Sequence, residues 1–281
     1  MSYDSALIAK DTQIILKEDS YMNMSRLISN RYKRPYKTLH KWLQRFFLLH
    51  FGFSNHLNPI SHRFGFDRGQ PVDRHYIEIF LDKHRADIKG RVLEVQEPVY
   101  TDKFGGSSVY QSEVIDIVSE NPKATIVGNL ETGEGLPSNA FDCIIITQTY
   151  QYLYDLKKAV QNNYRILKPY GVLLATFPAV TKVSRDNMIS QYFKNTPYKL
   201  VEYWRFTDTV VKRLFDEIFG SDNVSIETYG NVLAASAFLY GLAANELDVK
   251  KLNYHDPDYQ IIIASRVVKR PSLEGIMRVA S

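Results

Sequence analysis

Seven short apolar runs recur through residues 90–268, and most of the segments between them carry apolar residues at helical spacing. Strands buried on both faces read as continuous apolar runs, and strands that alternate with helices usually form parallel sheets. The alternation predicts an α/β domain, with a seven-stranded, mostly parallel sheet and covering helices. Its predicted strands cover residues 91–95, 113–118, 124–127, 141–147, 172–177, 224–228 and 259–268.

Four helices are predicted around this sheet, over residues 71–85, 155–167, 207–219 and 231–246. Pro71 and Asp73 suit the first turn of the first helix. The sequence KPYG at 168–171 stops the second helix, and Gly220 caps the third. Residues 178–204 show no regular pattern, so an irregular segment is expected there.

Composition limits the class of protein further. A chain of 281 residues with 44% hydrophobic content can fill a substantial core. Its one cysteine, Cys143, lies in an apolar run, which favours an inert core thiol and a reducing compartment. No run approaches the roughly 18 apolar residues of a membrane span, and residues 1–10 lack the apolar core of a signal peptide. We therefore expect a cytoplasmic protein.

Residues 1–63 precede the sheet as an arm and a basic helical extension, and residues 271–281 form a tail. Within 21–51, apolar residues such as Trp42 and Phe46 recur at near-helical spacing among mostly basic charges. Pro35 interrupts the pattern, so it predicts one kinked helix or two short ones. This helical segment could touch an anionic membrane as a peripheral contact, or pack on its own domain or on a sister subunit of a homo-oligomer. Because the basic cluster contains no recognised nucleic-acid-binding module, no nucleic-acid partner is expected.

Polar residues follow the first three predicted strands. Glu94 ends the first strand and is followed by a loop that contains Gly105. Asp116, with Glu113 as the alternative, ends the second strand, where a carboxylate can accept hydrogen bonds from both ribose hydroxyls. Asn129 follows the third strand and can pair with an adenine edge. Together these residues indicate a nucleotide-like ligand, although each one alone could be a strand-end or helix-capping residue.

Their order, with GNL at 128–130, FDCIIITQTY at 141–150 and RILKPYGVLLATFP at 165–178, resembles the class I S-adenosylmethionine-dependent methyltransferases of type 11. The similarity covers about residues 90–268, and 165–178 is its most specific part. It implies a Rossmann-like fold with an antiparallel last strand, and S-adenosyl-L-methionine as cofactor. The cofactor-binding residues that it implies are Glu94, Val95, Gln96, Gly105, Asp116, Asn129, Leu130, Thr147 and Gln148.

Four further segments resemble a subgroup of these enzymes associated with glycan and glycoside biosynthesis: FGFDRGQPVDRHY at 64–76, YWRFT at 203–207, YGNVL at 229–233 and YHDPDY at 254–259. This resemblance implies methyl transfer to a sugar hydroxyl of a glycan, glycoside or glycolipid intermediate. The expected partner is therefore a small-molecule or glycan acceptor. Residues 64–89 would form an entry segment that closes over the site of a domain spanning 64–270.

The loop after the first strand departs from the family pattern. Gln96 stands where a glycine normally lets the backbone approach the ligand, and Pro98 removes an N–H donor. A degenerate, non-catalytic binding or scaffold protein is therefore the alternative. A nicotinamide-dependent enzyme is a third reading, but no dinucleotide-type glycine fingerprint follows Val95.

Methyl transfer to a hydroxyl requires alignment and a base. The candidates are Asp73 and His75 in the entry segment, where Asp67 is also available, and His255 before the last strand. Imidazole has a suitable pKa near 6.5. Either histidine could instead be structural, since His75 lies in a predicted helix and His255 in a turn-like sequence.

Acceptor-binding residues are expected from the same segments. Arg68 and Arg74 could clamp a phosphate or carboxylate, or form an ion-pair web with Asp67, Asp73 and Glu78. Aromatic residues could form a sugar-stacking wall or ordinary core. The expected set is Asp67, Arg68, Arg74, Tyr76, Tyr150, Trp204 and Arg205, with Tyr152 and Phe206 beside them. No metal is expected, because residues 147–154 contain no carboxylate.

The extension at 21–51 yields a test of its own. Vesicles containing anionic lipid should sediment the full chain but not a chain that starts at Phe64, because the basic helix supplies both charge and apolar area. Co-sedimentation of the two proteins measures this. Equal sedimentation would leave the helix as a packing element or an oligomer contact.

Overall fold

A computed structural model of the protein describes residues 57–184 and 201–271. The expectations for the arm, for the basic helix at 21–51 and for the tail after residue 271 fall outside the described residues. Within the described ranges, no helix is long and apolar enough to cross a bilayer.

The sheet has seven strands, in the order β3-β2-β1-β4-β5-β7-β6. Neighbours from β3 to β5 run parallel, and β7 is antiparallel to both β5 and β6. The predicted Rossmann-like sheet with an antiparallel last strand is confirmed. Its strands are β1 Gly90–Val95, β2 Val109–Asp116, β3 Ile126–Val127, β4 Phe141–Thr147, β5 Leu167–Pro178, β6 Val224–Tyr229 and β7 Ile262–Val268.

Several strands start at residues other than those predicted: β2 begins at Val109 instead of 113, β3 at Ile126 instead of 124, and β5 and β7 differ as well. β5 begins at Leu167, so the KPYG sequence lies inside it, where the register against β4 shifts and Tyr170 adopts a φ of 66°. Its N–H still pairs with the Lys269 carbonyl at 2.6 Å. β7 begins only at Ile262, because the chain just before it turns and the Tyr259 N–H donates to the Asp256 carbonyl.

In residues 57–184 and 201–271, six α-helices accompany the sheet: α1 Val72–Lys83, α2 Val99–Phe104, α3 Leu156–Ile166, α4 Asp208–Phe219, α5 Val232–Leu239 and α6 Val249–Leu252. Side chains of Asp155, Thr207 and Asn231 cap α3, α4 and α5 by accepting backbone N–H bonds. The sequence missed α2 and the short α6. It also extended α5 to residue 246, whereas the helix ends before Gly241, which has a φ of +74° and closely approaches the Ser61 carbonyl.

An aromatic cluster forms the core on one side of the sheet. The Tyr150 and Phe177 rings stack with centroids 4.7 Å apart, and Phe206 and Phe215 meet Phe177 edge-on at 5.0 and 5.9 Å. Aromatic pairs of this geometry add about 0.5–1.5 kcal/mol beyond their buried area. Tyr150 lies in the loop after β4, Phe177 in β5, and Phe206 and Phe215 after β5. The cluster therefore fixes the loop after β4 against β5 and against the segment that follows it.

The strand order reverses direction between β1 and β4. β2 lies on one side of β1 and β4 on the other, so the connections after β1 and β4 leave the sheet in opposite directions. In open α/β sheets, ligands bind in the crevice beyond the carboxyl ends of the strands at such a switch point. The candidate site is sought there.

Candidate site at the switch point of the sheet

A glutamine with a left-handed backbone directly follows each of the two strands at the switch point. Gln96 follows β1 with a φ of 67°, and Gln148 follows β4 with a φ of 49°. A left-handed backbone costs a residue with a side chain about 1–2 kcal/mol. Backbone strain of this kind tends to cluster at functional sites, where the surrounding structure enforces it. Gln96 therefore holds the turn that a glycine would make, while adding a side chain to it.

The carboxylate of Asp116 lies at the carboxyl end of β2, beside the Gln96 turn. Asn121 joins the two, because its side-chain N–H group donates to the Gln96 carbonyl and to Asp116 Oδ2, each at 2.8 Å. Asp116 is 3% exposed. Glu113, the alternative for the same role, lies within β2 and pairs with Arg91 at 2.9 Å. Asp116 is thus the carboxylate that the strand presents to the crevice.

Glu94 is the N-terminal cap of α2. Its carboxylate accepts the backbone N–H groups of Tyr100 at 3.0 Å and Thr101 at 2.8 Å, and the Thr101 hydroxyl at 2.8 Å. Burial raises the pKa of Glu94 to about 7, in opposition to these hydrogen bonds. Three donors thus occupy this carboxylate in a capping role, and the predicted contact of Glu94 with a ligand stays a prediction.

Gly105 lies far from the crevice. It follows α2, and a Cβ there would come within 2.4 Å of a Val109 methyl group. Val109 pairs with Gly90 at the amino end of β1, roughly 17 Å along the strand from the switch point at about 3.3 Å per residue. The prediction that Gly105 contacts the cofactor is therefore wrong. This glycine permits close packing of α2 against β2.

The other predicted cofactor residues lie at or just after the ends of β1, β3 and β4. The Asn129 Oδ1 atom accepts the N–H groups of Glu131 and Thr132 in the turn after β3, and Leu130 is buried in the core. Val95 is half-buried at the end of β1. Thr147 ends β4, and the Gln148 N–H donates to the Thr176 carbonyl at 3.1 Å.

The start of α1 brings two charges to the first residues of α2. The Arg74 backbone N–H donates to Asp73 Oδ1 at 2.8 Å, and the Arg74 guanidinium donates to the Tyr100 hydroxyl at 3.2 Å. Burial raises the pKa of Asp73 despite the Arg74 charge. Burial disfavours the Arg74 cation, but Asp73 and Tyr100 outweigh it, so the pKa of Arg74 is raised. Tyr152, after β4, also influences this guanidinium electrostatically.

Arg74 makes no ion pair within 4 Å in the parts of the chain that the structure describes, whereas Arg68 does. Arg68 forms a two-point ion pair with Glu246, with Nε 2.9 Å from Oε2. Asp67 is exposed and accepts the Ser61 hydroxyl. The predicted acceptor contact of Arg68 is therefore corrected to a structural role, and that of Asp67 stays a prediction. The ion-pair alternative was right for Arg68, but its partner is Glu246.

The two histidines that were predicted as bases, His75 and His255, form hydrogen bonds with residues other than Asp73. His75 Nε2 is hydrogen-bonded to Asn253 Oδ1, and His255 Nε2 to the Thr228 hydroxyl, each at 2.8 Å. Thr228 lies on β6, three strands across from β4, which is about 14 Å at normal strand spacing. These two predicted bases are corrected to structural residues. Tyr76, expected at the acceptor, is buried and donates to the Leu252 carbonyl at 2.6 Å.

The segment after residue 200 is seated against the loop that follows β4. The Tyr203 N–H donates to the Gln151 carbonyl at 2.7 Å, and the Trp204 indole donates to the Leu153 carbonyl at 2.9 Å. The aromatic residues that were predicted to form a wall fall into a buried group and an exposed group. Tyr150 and Phe206 are core residues, 0% and 4% exposed, which corrects their assignment, whereas Trp204 stays on the surface.

Glu202 is a functional candidate that sequence reasoning missed. Its carboxylate accepts bonds from the Tyr152 hydroxyl at 3.4 Å, the Ser184 N–H at 3.0 Å and the Arg205 guanidinium at 2.6 Å. The predicted acceptor residue Arg205 is thus partly occupied by an ion pair. No sequence signal marks Glu202, because its partners come from three separate segments.

Tyr100 and Gln151 were also missed. Tyr100 had a detectable signal, because Pro98 precedes it and Asp102 follows it in the pattern of a first helical turn. Gln151 is 3% exposed, and its Oε1 atom has no hydrogen-bond partner. Buried polar atoms are normally paired, and this acceptor is an exception. Among the described residues, no three His, Cys, Asp or Glu side chains are grouped as metal ligands.

Residues 109–175 match a family model described as a methyltransferase domain. The match begins at the first residue of β2 and ends within β5, and it covers less than half of the chain. It supports the class that the sequence resembles, the S-adenosylmethionine-dependent methyltransferases. No curated protein matches the chain.

Three solved structures illustrate the remaining similarity. A SAM-dependent methyltransferase from Archaeoglobus fulgidus is 14% identical, over 70% of this chain and 94% of that one, with a TM-score of 0.42. The N-methyltransferase NodS from Bradyrhizobium japonicum WM9, in complex with S-adenosyl-L-homocysteine, is 13% identical over 75% and 94%, with a TM-score of 0.42. Phosphoethanolamine N-methyltransferase 2 from Haemonchus contortus, in complex with S-adenosyl-L-methionine, is 16% identical over 81% and 57%, also at 0.42. Similarities this low do not define an activity.

Glu94 predicts a pH dependence of stability. Its folded pKa of about 7 lies above the ordinary 4.5, so the folded state binds the proton more tightly. Its stabilising contribution is complete below pH 4.5 and is lost as the pH rises to about 7, by on the order of 3 kcal/mol. Glu94→Gln should remove this part of the slope, as measured by urea unfolding between pH 4.5 and 8. The exposed Glu120→Gln is the control, and an unchanged slope in Glu94→Gln would contradict the assignment.

Proposed function

We propose that this protein is an S-adenosylmethionine-dependent methyltransferase whose cofactor binds at the switch point between β1 and β4. The observation that carries the proposal is the arrangement of Asp116, Gln96 and Gln148 at the carboxyl ends of three adjacent strands. The match of residues 109–175 to a methyltransferase domain covers two of these strand ends.

The residues present fit such a cofactor by their chemistry. Asp116 uses two of the roughly four acceptor sites of a carboxylate on Val118 and Asn121, so two remain for a ribose diol. The Gln96 backbone has the left-handed turn that a glycine provides in this family. Asn129 lies at the end of β3, where an amide can meet an adenine edge. Arg74 has unused donors for an anionic group of the ligand.

Asp73 is the base in this proposal. The cofactor supplies an electrophilic methyl group on a sulfonium, so the protein has to orient an acceptor and take up its proton. Asp73 is the predicted base that lies among Arg74 and Tyr100, and its raised pKa makes its carboxylate a stronger proton acceptor. The acceptor oxygen gains the methyl group, and its hydroxyl proton passes to Asp73.

The proposed acceptor is a sugar hydroxyl of a glycan, glycoside or glycolipid intermediate. Its support is the resemblance of residues 64–76, 203–207, 229–233 and 254–259 to enzymes of glycan and glycoside biosynthesis. The first of these segments provides Asp73 and Arg74, and the second is seated beside the loop after β4. Both therefore border the proposed site.

A non-catalytic binding protein is the second candidate. It is favoured by the Gln96 side chain, which occupies the turn after β1, and by Pro98, which lacks an N–H group there. Cofactor affinity separates the two candidates.

Calorimetric titration should show heat of binding for both S-adenosylmethionine and S-adenosylhomocysteine. Asp116→Asn should weaken binding about tenfold or more, because the amide replaces a charged acceptor for two hydroxyls. Asp222→Asn, an exposed carboxylate after α4, is the matched control. Absence of heat with either ligand at high micromolar concentration would refute the methyltransferase and favour the binding protein.

Asp73→Asn should lower methyl transfer by about 10²–10⁴-fold while S-adenosylhomocysteine affinity is retained, since a base acts on the acceptor proton. Transfer of a labelled methyl group to a panel of glycosides measures this. Asp82→Asn, an exposed carboxylate on the same helix, is the control. Full turnover in Asp73→Asn would place the base elsewhere.

A further inference from the structure

Three aromatic side chains lie together on the surface beside the loop that follows β4. Tyr154 is 67% exposed, Tyr203 49% and Trp204 38%. The Tyr154 ring lies 5.2 Å from that of Tyr203 and 6.4 Å from that of Trp204, between ring centroids. These three residues form what is called here the aromatic platform.

The platform is fixed by hydrogen bonds from each of its residues. The Trp204 indole donates to the Leu153 carbonyl, the Tyr203 N–H to the Gln151 carbonyl, and the Tyr154 N–H to Glu131 Oε2 at 3.0 Å. The Trp204 ring is therefore held in place before any ligand arrives, and backbone bonds hold the chain segments that carry Tyr203 and Tyr154, which reduces the entropy lost on binding.

The platform continues the candidate site outward. Tyr152, which influences the Arg74 charge, precedes Tyr154 by two residues. Glu202, which accepts the Tyr152 hydroxyl, directly precedes Tyr203. A ligand that reaches from the crevice toward solvent along this loop would meet the three rings.

The size and rim of the platform favour a sugar ring over a protein. Fully buried aromatic residues contribute 150–250 Å² each, so these partly exposed rings offer on the order of 300 Å², well below the roughly 800 Å² per partner of a stable protein interface. The rim carries the Glu131 carboxylate and the Arg205 guanidinium. Aromatic faces can cover the C–H face of a pyranose, while charged rim groups bond its hydroxyls.

We propose that the aromatic platform is a binding subsite for a second sugar ring of the acceptor, next to the ring that is methylated. The proposal rests on the methyltransferase function for its acceptor site and narrows the substrate class. The acceptor is an oligosaccharide or a glycoside with at least two rings, and a free monosaccharide would leave the platform empty.

A glycan array tests the proposal with the full chain. The wild-type protein should retain glycans of two or more rings, and Trp204→Ala and Tyr154→Ala should lose them by about tenfold or more in affinity. Tyr110→Ala, an exposed aromatic residue at the amino end of β2, is the matched control and should bind as wild type. Retention of no glycan, or equal retention by Trp204→Ala, would overturn the subsite.

Trp204→Phe separates stacking from folding, because it keeps an aromatic face but loses the indole bond to Leu153. It should recover most of the binding that Trp204→Ala loses. The chain has two tryptophans, so a Trp42→Phe background lets Trp204 fluorescence report each bound glycan directly. Absence of any fluorescence change with a retained glycan would place that glycan elsewhere and refute the subsite.

Calorimetry with S-adenosylhomocysteine on the same variants keeps the two proposals apart. Trp204→Ala should bind this ligand as wild type does, because the platform lies outside the proposed cofactor site. Glycan binding that depends on Trp204, without cofactor binding, would preserve the subsite and reject the methyltransferase. Cofactor binding without glycan binding would do the reverse.

Discussion

The capping of α2 by Glu94 is the interaction on which the candidate site depends. A helix of only six residues does not form by itself in water. The buried Glu94 carboxyl group stabilises it by accepting two N–H groups at its amino end. The helix carries Tyr100, whose hydroxyl accepts the Arg74 guanidinium and so joins α1 to the switch point. Because the Glu94 pKa is about 7, this cap is close to a change of charge at neutral pH.

The turn after β1 shows how the crevice keeps its shape without the usual glycine. Gln96 carries the cost of a left-handed backbone, and its neighbours stabilise it there. The Gln96 N–H donates to the Ile115 carbonyl, and its own carbonyl accepts Asn121, which also binds Asp116. The same amide thus supports the strained turn and orients the carboxylate beside it. Hydrogen bonds to Ile115 on β2 and to Asn121 maintain the backbone turn at Gln96. The Gln96 side chain can alter which ligands the crevice admits.

Local signals predicted the sheet and the position of Asp116 at a strand end, whereas the partners of the charged residues were not predictable. β4 was predicted to the residue because it is buried on both faces, and Asp116 because strand ends are marked locally. The prediction that Arg68 binds the acceptor was wrong, because its partner Glu246 lies 178 residues further along the chain. The prediction that His255 is a base was wrong, because His255 is bonded to Thr228 on β6 and only the strand order shows that β6 is at the edge of the sheet. Irregular segments give no periodicity, so the sequence could not separate the core aromatics from the exposed ones.

The entry segment is better described as a wall than as a lid. The sequence predicted that residues 64–89 close over the site, but their first part is tied down along its length. Arg68 is paired with Glu246, Pro71 forms a β-bridge with Ala243, and a Cβ on Gly65 would lie 2.8 Å from the Leu242 carbonyl. Opening this segment would break a largely buried ion pair, which costs several kcal/mol. Asp73, two residues after the bridge, is consequently presented from a rigid support. In the proposed function, a base on such a support is pre-positioned for its acceptor, so the proposed proton transfer does not depend on closure of this segment.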